Sequence, residues 1–148
     1  KAQEKFKLDT DMVLIKDALH ISGNCFCKAV QFELTSQPIH ILKCHCISCR
    51  KTTGGMHTVW ATVKQTHFHW LSTQPSYFLS SPKVQRTFCP KCGTSLTYQH
   101  VDDETIDVTV ASLNAPERFP PQAEIWTSDR LNWDQNHEDL PQFIHDIE

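Results

Sequence analysis

The residues with the most chemistry to offer are seven cysteines, gathered into three tight groups in a chain of 148 residues. Cys25-Phe26-Cys27, Cys44-His45-Cys46-Ile47-Ser48-Cys49 and Cys89-Pro90-Lys91-Cys92 all carry metal-ligand spacing. A Cys-x-Cys on an extended segment turns both sulfurs to one face, and a Cys-x-x-Cys on a tight turn converges two thiolates on one ion. Zinc suits such sets, because it takes soft sulfur tetrahedrally and has no redox chemistry to damage its ligands. Phe88 to Gly93 reads as a zinc knuckle, with Gly93 freeing the backbone beyond the second ligand. Buried or free cysteines without metal would have no reason to cluster in this way. Disulfides fit no better, since Cys-x-Cys pairs bridge each other poorly and an odd count leaves one thiol over.

Seven thiolates cannot fill two four-sulfur sites. A closed site therefore implies a second one that a histidine completes or that stays open to water or substrate. Spacing alone allows two pairings. Cys25, Cys27, Cys89 and Cys92 can close one site and leave Cys44, Cys46 and Cys49 for the other. Alternatively Cys46, Cys49, Cys89 and Cys92 form a ribbon-like site and leave Cys25, Cys27 and Cys44. The first is neater, because three ligands within six residues can cup one ion by themselves.

The elements that must hold these groups read mainly as short strands. Ala29 to Leu34 and Thr105 to Val110 alternate with period two, and His57 to Val63 and Arg86 to Phe88 are shorter candidates. Ser76 to Leu79, Thr94 to Gln99 and Ala123 to Thr127 continue the series. One or two helical turns are expected from Cys46 to about Thr53, stopped by Gly54-Gly55, and another turn from Pro116 to Phe119. Residues 1–19 read as an extension with a short apolar run, Met12-Val13-Leu14-Ile15, and residues 20–148 as a single domain. That run is too short for a signal-peptide core or a membrane span. A net charge of −3 argues against non-specific nucleic-acid binding. The expectation is a mainly β domain of antiparallel sheets with little helix, stapled by metal because its core is slender. A reducing, cytoplasmic setting follows from the cysteine usage, and no feature indicates an oligomeric state.

The text around the cysteines resembles the glutathione-dependent formaldehyde-activating enzymes, a family that also includes centromere protein V. Ser22 to Phe32, Cys44 to Gly54 and Phe88 to Leu96 carry the resemblance, and it continues through Ile106 to Thr109 and Ser112 to Pro116. Ile125 to Trp133 resembles the closing segment, and Leu140 to Phe143 extends the match, which covers about residues 20 to 143. The resemblance implies a β-tent fold with two zinc ions, a structural one on Cys25, Cys27, Cys89 and Cys92 and a catalytic one on Cys44, Cys46 and Cys49. The second ion is expected to be partly occupied. It also implies a carbon–sulfur lyase with glutathione and a small aldehyde as partners, the founding product being S-(hydroxymethyl)glutathione. Glu124 and Asn114 depart from the His and Asp usual in the family, and these changes bear on substrate more than on fold.

In that reading the open position takes the glutathione sulfur and presents it as thiolate to the aldehyde carbon. Three thiolates leave the ion with net negative charge, so nearby cations matter, and Lys43, Arg50 and Lys51 flank the motif. Arg50 could instead fork onto a glutathione carboxylate. Gly54 and Gly55 could bare the backbone to a peptide-like ligand besides stopping the helix, and Trp60 and Trp126 could wall the pocket. His45 lies between two ligands, so its ring is expected to point away from the ion. His57 could serve as an acid or base, and His67 and His69 share a strand face without a third ligand. Non-catalytic alternatives are a glutathione carrier or thiol sensor and a protein-interaction scaffold. The mild acidity and the absence of a basic tail weigh against a chromatin role.

Overall fold

The computed structural model describes residues 20–135 and 140–146. The N-terminal extension, including Met12 to Ile15, lies outside the described residues. Ten strands follow one another: β1 (Ile21–Asn24), β2 (Gln31–Leu34), β3 (His40–Cys44), β4 (Thr58–Lys64) and β5 (Phe68–Trp70), then β6 (Ser76–Ser81), β7 (Val84–Phe88), β8 (Ser95–His100), β9 (Thr105–Thr109) and β10 (Ala123–Ile125). The α-helix α1 (Ile47–Thr53) sits between β3 and β4. Three strands form a small sheet, β1-β2-β5, and seven form a large one, β10-β3-β4-β9-β8-β7-β6.

The mainly β reading with little helix holds. Every strand expected from pattern is present within a residue or two at most ends. Strands β1, β3 and β5 were not anticipated, because Ser22-Gly23-Asn24 reads as a turn and the other two lack clean alternation. One pairing also departs from an antiparallel sheet, since β10 runs parallel to β3. The expected strand to Thr127 stops at Ile125 because Trp126 enters the left-handed region at φ 56°.

Strand β4 shows why the large sheet forms where it does. Thr58-Val59-Trp60-Ala61-Thr62-Val63 is rich in branched and aromatic side chains, and such residues fit a pleated surface covered on both sides. Its odd-numbered Ala61 and Val63 face one core with Ile41, Ile106 and Val108, all buried. The small sheet covers that core. Phe32 stacks on Phe68 with ring centres 5.3 Å apart, and Trp70 meets Phe68 edge-on at 4.6 Å. The even-numbered Trp60 and Thr62 face the other side of the sheet.

Helix α1 begins at Cys46, whose Sγ accepts from Cys49 N–H at 3.2 Å, and ends at Gly54 in the left-handed conformation. It therefore stops where Gly54-Gly55 stands in the sequence. Gly23 has a different duty. A Cβ placed there would stand 2.2 Å from Cζ of the buried Phe32 ring, so β1 can lie on that ring only because the position is bare. Gly23→Ala is expected to destabilise the domain by about 1–3 kcal/mol through this overpacking, read as a lowered urea midpoint with unchanged slope.

Candidate metal centre and its cavity

Strand β1 runs into the Cys25–Cys27 turn, and strand β7 runs into Cys89–Cys92. Both turns use left-handed residues: Lys28 lies at φ 64° beyond the first, and Gly93 at φ 79° beyond the second. Cys25 Sγ lies 3.6 Å from Cys27 Sγ, and Cys27 Sγ lies 3.8 Å from Cys89 Sγ. Zinc–sulfur bonds of about 2.3 Å set tetrahedral sulfurs about 3.8 Å apart, so the spacing fits one ion closely. Val30 N–H points at Cys25 Sγ at 3.3 Å and Lys91 N–H at Cys89 Sγ at 3.4 Å, as anionic sulfurs require. The Thr94 hydroxyl donates to Cys92 at 3.2 Å and draws its thiol down to about 5.

Cys44, Cys46 and Cys49 form a second group whose sulfurs all lie within 4.8 Å of one another. Cys44 comes from the end of β3, Cys46 caps α1 and Cys49 lies one turn into it. All seven cysteines are unpaired as disulfides. The structure thus brings together the two sets of the neater pairing.

Strand register builds the surroundings of the second group. Along the face of the large sheet that carries Trp60, two rows of paired residues are set four positions apart on β4: Ile125, Cys44 and Thr58 in one, and Thr62, Asp107, Tyr98 and Arg86 in the other. With α1 and the segment after β10 they enclose a cavity of about 440 Å³, in the range that takes small ligands.

Arg86 is the cation at this centre. It is only 5% exposed, and both terminal guanidinium nitrogens lie 3.9 Å from Cys49 Sγ. Its Nε donates to Ser80 at 2.9 Å, and its charge lies 5.0 Å over the Tyr98 ring. The Cys49 thiol is drawn down to about 5: Cys44 donates to it, Cys46 and the Trp60 indole add further hydrogen bonds, and Arg86 adds positive field, together outweighing burial. The Cys44 thiol moves the other way, raised because it donates to Cys49 and because it is buried.

Asp107 is the acid of the same cavity. Burial pushes its carboxyl up to about 6, against the hydrogen bond that Thr62 donates to it. Sequence reasoning passed over both residues. Nothing in spacing distinguishes Arg86 from a solvated strand arginine, although a charge three residues before Cys89 was the one available signal.

Of the four residues considered for substrate, the structure brings Trp126 to this cavity, at its rim and 61% exposed. Arg50 donates from Nη1 to the Asp129 carbonyl at 3.1 Å, which ties α1 to the turn after β10. Gly54 caps the helix, and Gly55 lines a separate cavity of about 640 Å³ beside Cys92 and Gly93. Trp60 is both core and wall. Lys43 reaches Glu124 at 3.5 Å, and Asn114 donates to Ser22 at 2.9 Å, which ties the loop after β9 to β1. His45 turns away from the sulfurs as expected and is fully buried, its Nε2 2.8 Å from Glu124. That contact, followed by Lys43 and Arg130, holds the Glu124 carboxyl below its ordinary value. His67 and His69 both meet the Thr35 hydroxyl, at 3.3 and 3.4 Å.

A mainly β domain with a four-cysteine clip and a three-cysteine cavity is a scaffold whose thiols could hold metal ions. Its likeness to known proteins agrees. A family model described as glutathione-dependent formaldehyde-activating enzyme matches residues 20–129, and the chain belongs to that family. An uncharacterized lyase of Schizosaccharomyces pombe is 26% identical over 80 residues, 54% of this chain and 58% of that relative. The chain thus matches somewhat over half the length of this curated relative. The crystal structure of a Rhodobacter sphaeroides protein shares the fold with a TM-score of 0.57 at 21% identity, over 70% of this chain and 98% of the other.

Because burial holds the proton on Asp107, the folded chain binds it more tightly than the unfolded chain between the ordinary value of about 4 and about 6. Stability therefore falls as pH rises through that window, and the loss persists above it. Asp107→Asn is expected to flatten this fall and to exceed the parent above the window by on the order of 2 kcal/mol. Urea unfolding of both proteins on either side of the window measures the difference, and parallel curves would refute the assignment.

Proposed function

We propose that this chain is a lyase of the glutathione-dependent formaldehyde-activating type, forming or cleaving S-(hydroxymethyl)glutathione or a related glutathione adduct. The observation that carries the reading is the cavity in which three cysteine sulfurs, a buried arginine and a proton-holding carboxyl face one another. Residues from 20 onward act as one zinc domain with two ions, structural on Cys25, Cys27, Cys89 and Cys92, catalytic on Cys44, Cys46 and Cys49. What zinc supplies when bound is a sulfur-seeking position that lowers the pKa of an incoming thiol.

The chain's own residues divide the remaining work. Arg86 offsets the negative charge that three thiolates gather, in a buried place where one cation has strong effect. Asp107 handles the proton. When the carbon–sulfur bond forms, the aldehyde π electrons move to oxygen, and Asp107 delivers the proton there while the thiol proton is released. Cleavage reverses both transfers. Trp126 gives the cavity mouth an apolar wall against which an extended peptide-like substrate rests. A reducing compartment such as the cytoplasm suits seven unpaired cysteines. Among the described residues no helix is long and apolar enough to cross a membrane.

The test is isotope-labelled formaldehyde mixed with glutathione and followed by exchange NMR, with and without the protein. Exchange faster than the spontaneous reaction is expected. Binding of glutathione without acceleration would overturn the enzyme in favour of a carrier. Cys46→Ser should lose the second zinc and the acceleration while its circular dichroism stays that of the parent. Arg86→Met should weaken zinc at the three-cysteine site by about 10–100-fold and leave the four-cysteine ion in place, as competition with a zinc chelator would read.

A further inference from the structure

On the far side of the Cys44–Cys46 segment, a second set of ligand-type side chains converges from three parts of the chain. His45 comes from the β3–α1 connection, His57 from the approach to β4 and Asp134 from the segment after β10. One ligand atom from each lies within 4.8 Å of the others. Not one of these residues belongs to the cysteine sites.

His45 decides how the set should be read. Its ring is fully buried, Nε2 meets Glu124 at 2.8 Å, and Nδ1 is buried with no hydrogen-bond partner among the described residues. A carboxylate at Nε2 makes that nitrogen the N–H donor, so a neutral ring carries its lone pair on Nδ1. The His57 ring lies beside it, its centre 5.7 Å from that of His45 and tilted by 58°. A buried lone pair without a donor is costly, and the imidazoles are not hydrogen-bonded to each other. A histidine that gives its distal N–H to a carboxylate and turns its lone pair inward has the arrangement of a metal ligand with its outer support. The second distance agrees. His57 Nδ1 lies 3.3 Å from Asp134 Oδ2, long for a charge-assisted hydrogen bond. Ligand bonds of about 2.0–2.1 Å in tetrahedral geometry put neighbouring donor atoms at about that separation.

We propose that His45, His57 and Asp134 form a third metal site, taking a divalent first-row transition ion through two imidazole nitrogens and a carboxylate oxygen. Its donors are harder than the thiolates of the other two sites, so it selects differently among metals and is loaded independently of them. His57 is a third exposed and lines the 640 Å³ cavity, which gives an ion its way in. Glu124 supports the site from outside through His45.

The test uses the full chain with both cysteine sites loaded with zinc, titrated with Co²⁺. The expected result is uptake of a further equivalent, with weak visible bands and without the sulfur-to-cobalt charge transfer that displacement at a cysteine site would produce. Glu124→Gln is expected to weaken this uptake by about 10–100-fold, and the His57→Ala/Asp134→Ala double variant to abolish it while its thiolate-bound zinc stays equal to the parent's. No cobalt uptake by the parent, uptake only with charge transfer, or unchanged uptake in the double variant would each overturn the proposal. The parent titration decides the question even if the double variant fails to fold. The cysteine sites are counted separately, by zinc released with a mercurial, so their failure and the failure of the third site give distinct results.

Discussion

Two turns from distant parts of the chain must meet at one point, and the rest of the molecule is arranged around that meeting. Cys25 and Cys27 leave the small sheet, Cys89 and Cys92 leave the large one, and their four sulfurs lie within 4.8 Å of one another. Cys25 and Cys89 are themselves fully buried members of the core between the sheets. The clip therefore does what a larger apolar core would do in a longer chain. An ion held by these four sulfurs would add its binding free energy to folding. Phe32 on Gly23 shows how little slack the core leaves, since even one methyl group has no room.

With the sheets so held, the large sheet is free to use its two faces for different purposes. The face of Ala61, Val63 and Val108 is apolar and packs. The opposite face carries residues that would be poor core material: Cys44, and a row of Asp107, Tyr98 and Arg86. Burying one guanidinium or one carboxyl alone costs several kcal/mol. Here the guanidinium lies between the Cys49 sulfur and the Tyr98 ring, and Asp107 gives up its proton only at higher pH than a free carboxyl does. Arg86 and the Cys49 thiolate are thus mutually dependent, because each would be destabilising without the other.

Much of this was legible before any coordinates. Cysteine clustering marked the sites, Gly54 marked the end of α1, and alternation found β2 and β9. The parts that stayed hidden share one physical cause: they depend on the register between strands, which no single segment displays. Arg86 and Asp107 reach the cavity only because β7, β8 and β9 align them with Tyr98 between them. Neither residue has a local pattern that separates it from a surface charge on an edge strand. Strands β3 and β5 are similarly defined by their partners. Arg50 is the converse case. Its place beside the ligands made it the natural substrate contact, yet the turn at Asp129 lies within reach of its guanidinium and takes one of its hydrogen bonds.

Alternation along Cys44-His45-Cys46 has a further consequence. A backbone that turns two sulfurs into one cavity must turn the intervening imidazole to the other side. His45 is there held by Glu124 on β10, the strand paired in parallel with β3. The same three residues thus connect the cysteine centre to the histidine cluster and to the β10 segment that ends in the strained Trp126 at the cavity rim. His45 is fully buried, so a displacement of its ring must be taken up by the side chains packed around it or by its backbone. The backbone carries its share to the flanking sulfurs. Glu124 therefore bears on the three-cysteine cavity from a position that touches none of its sulfurs.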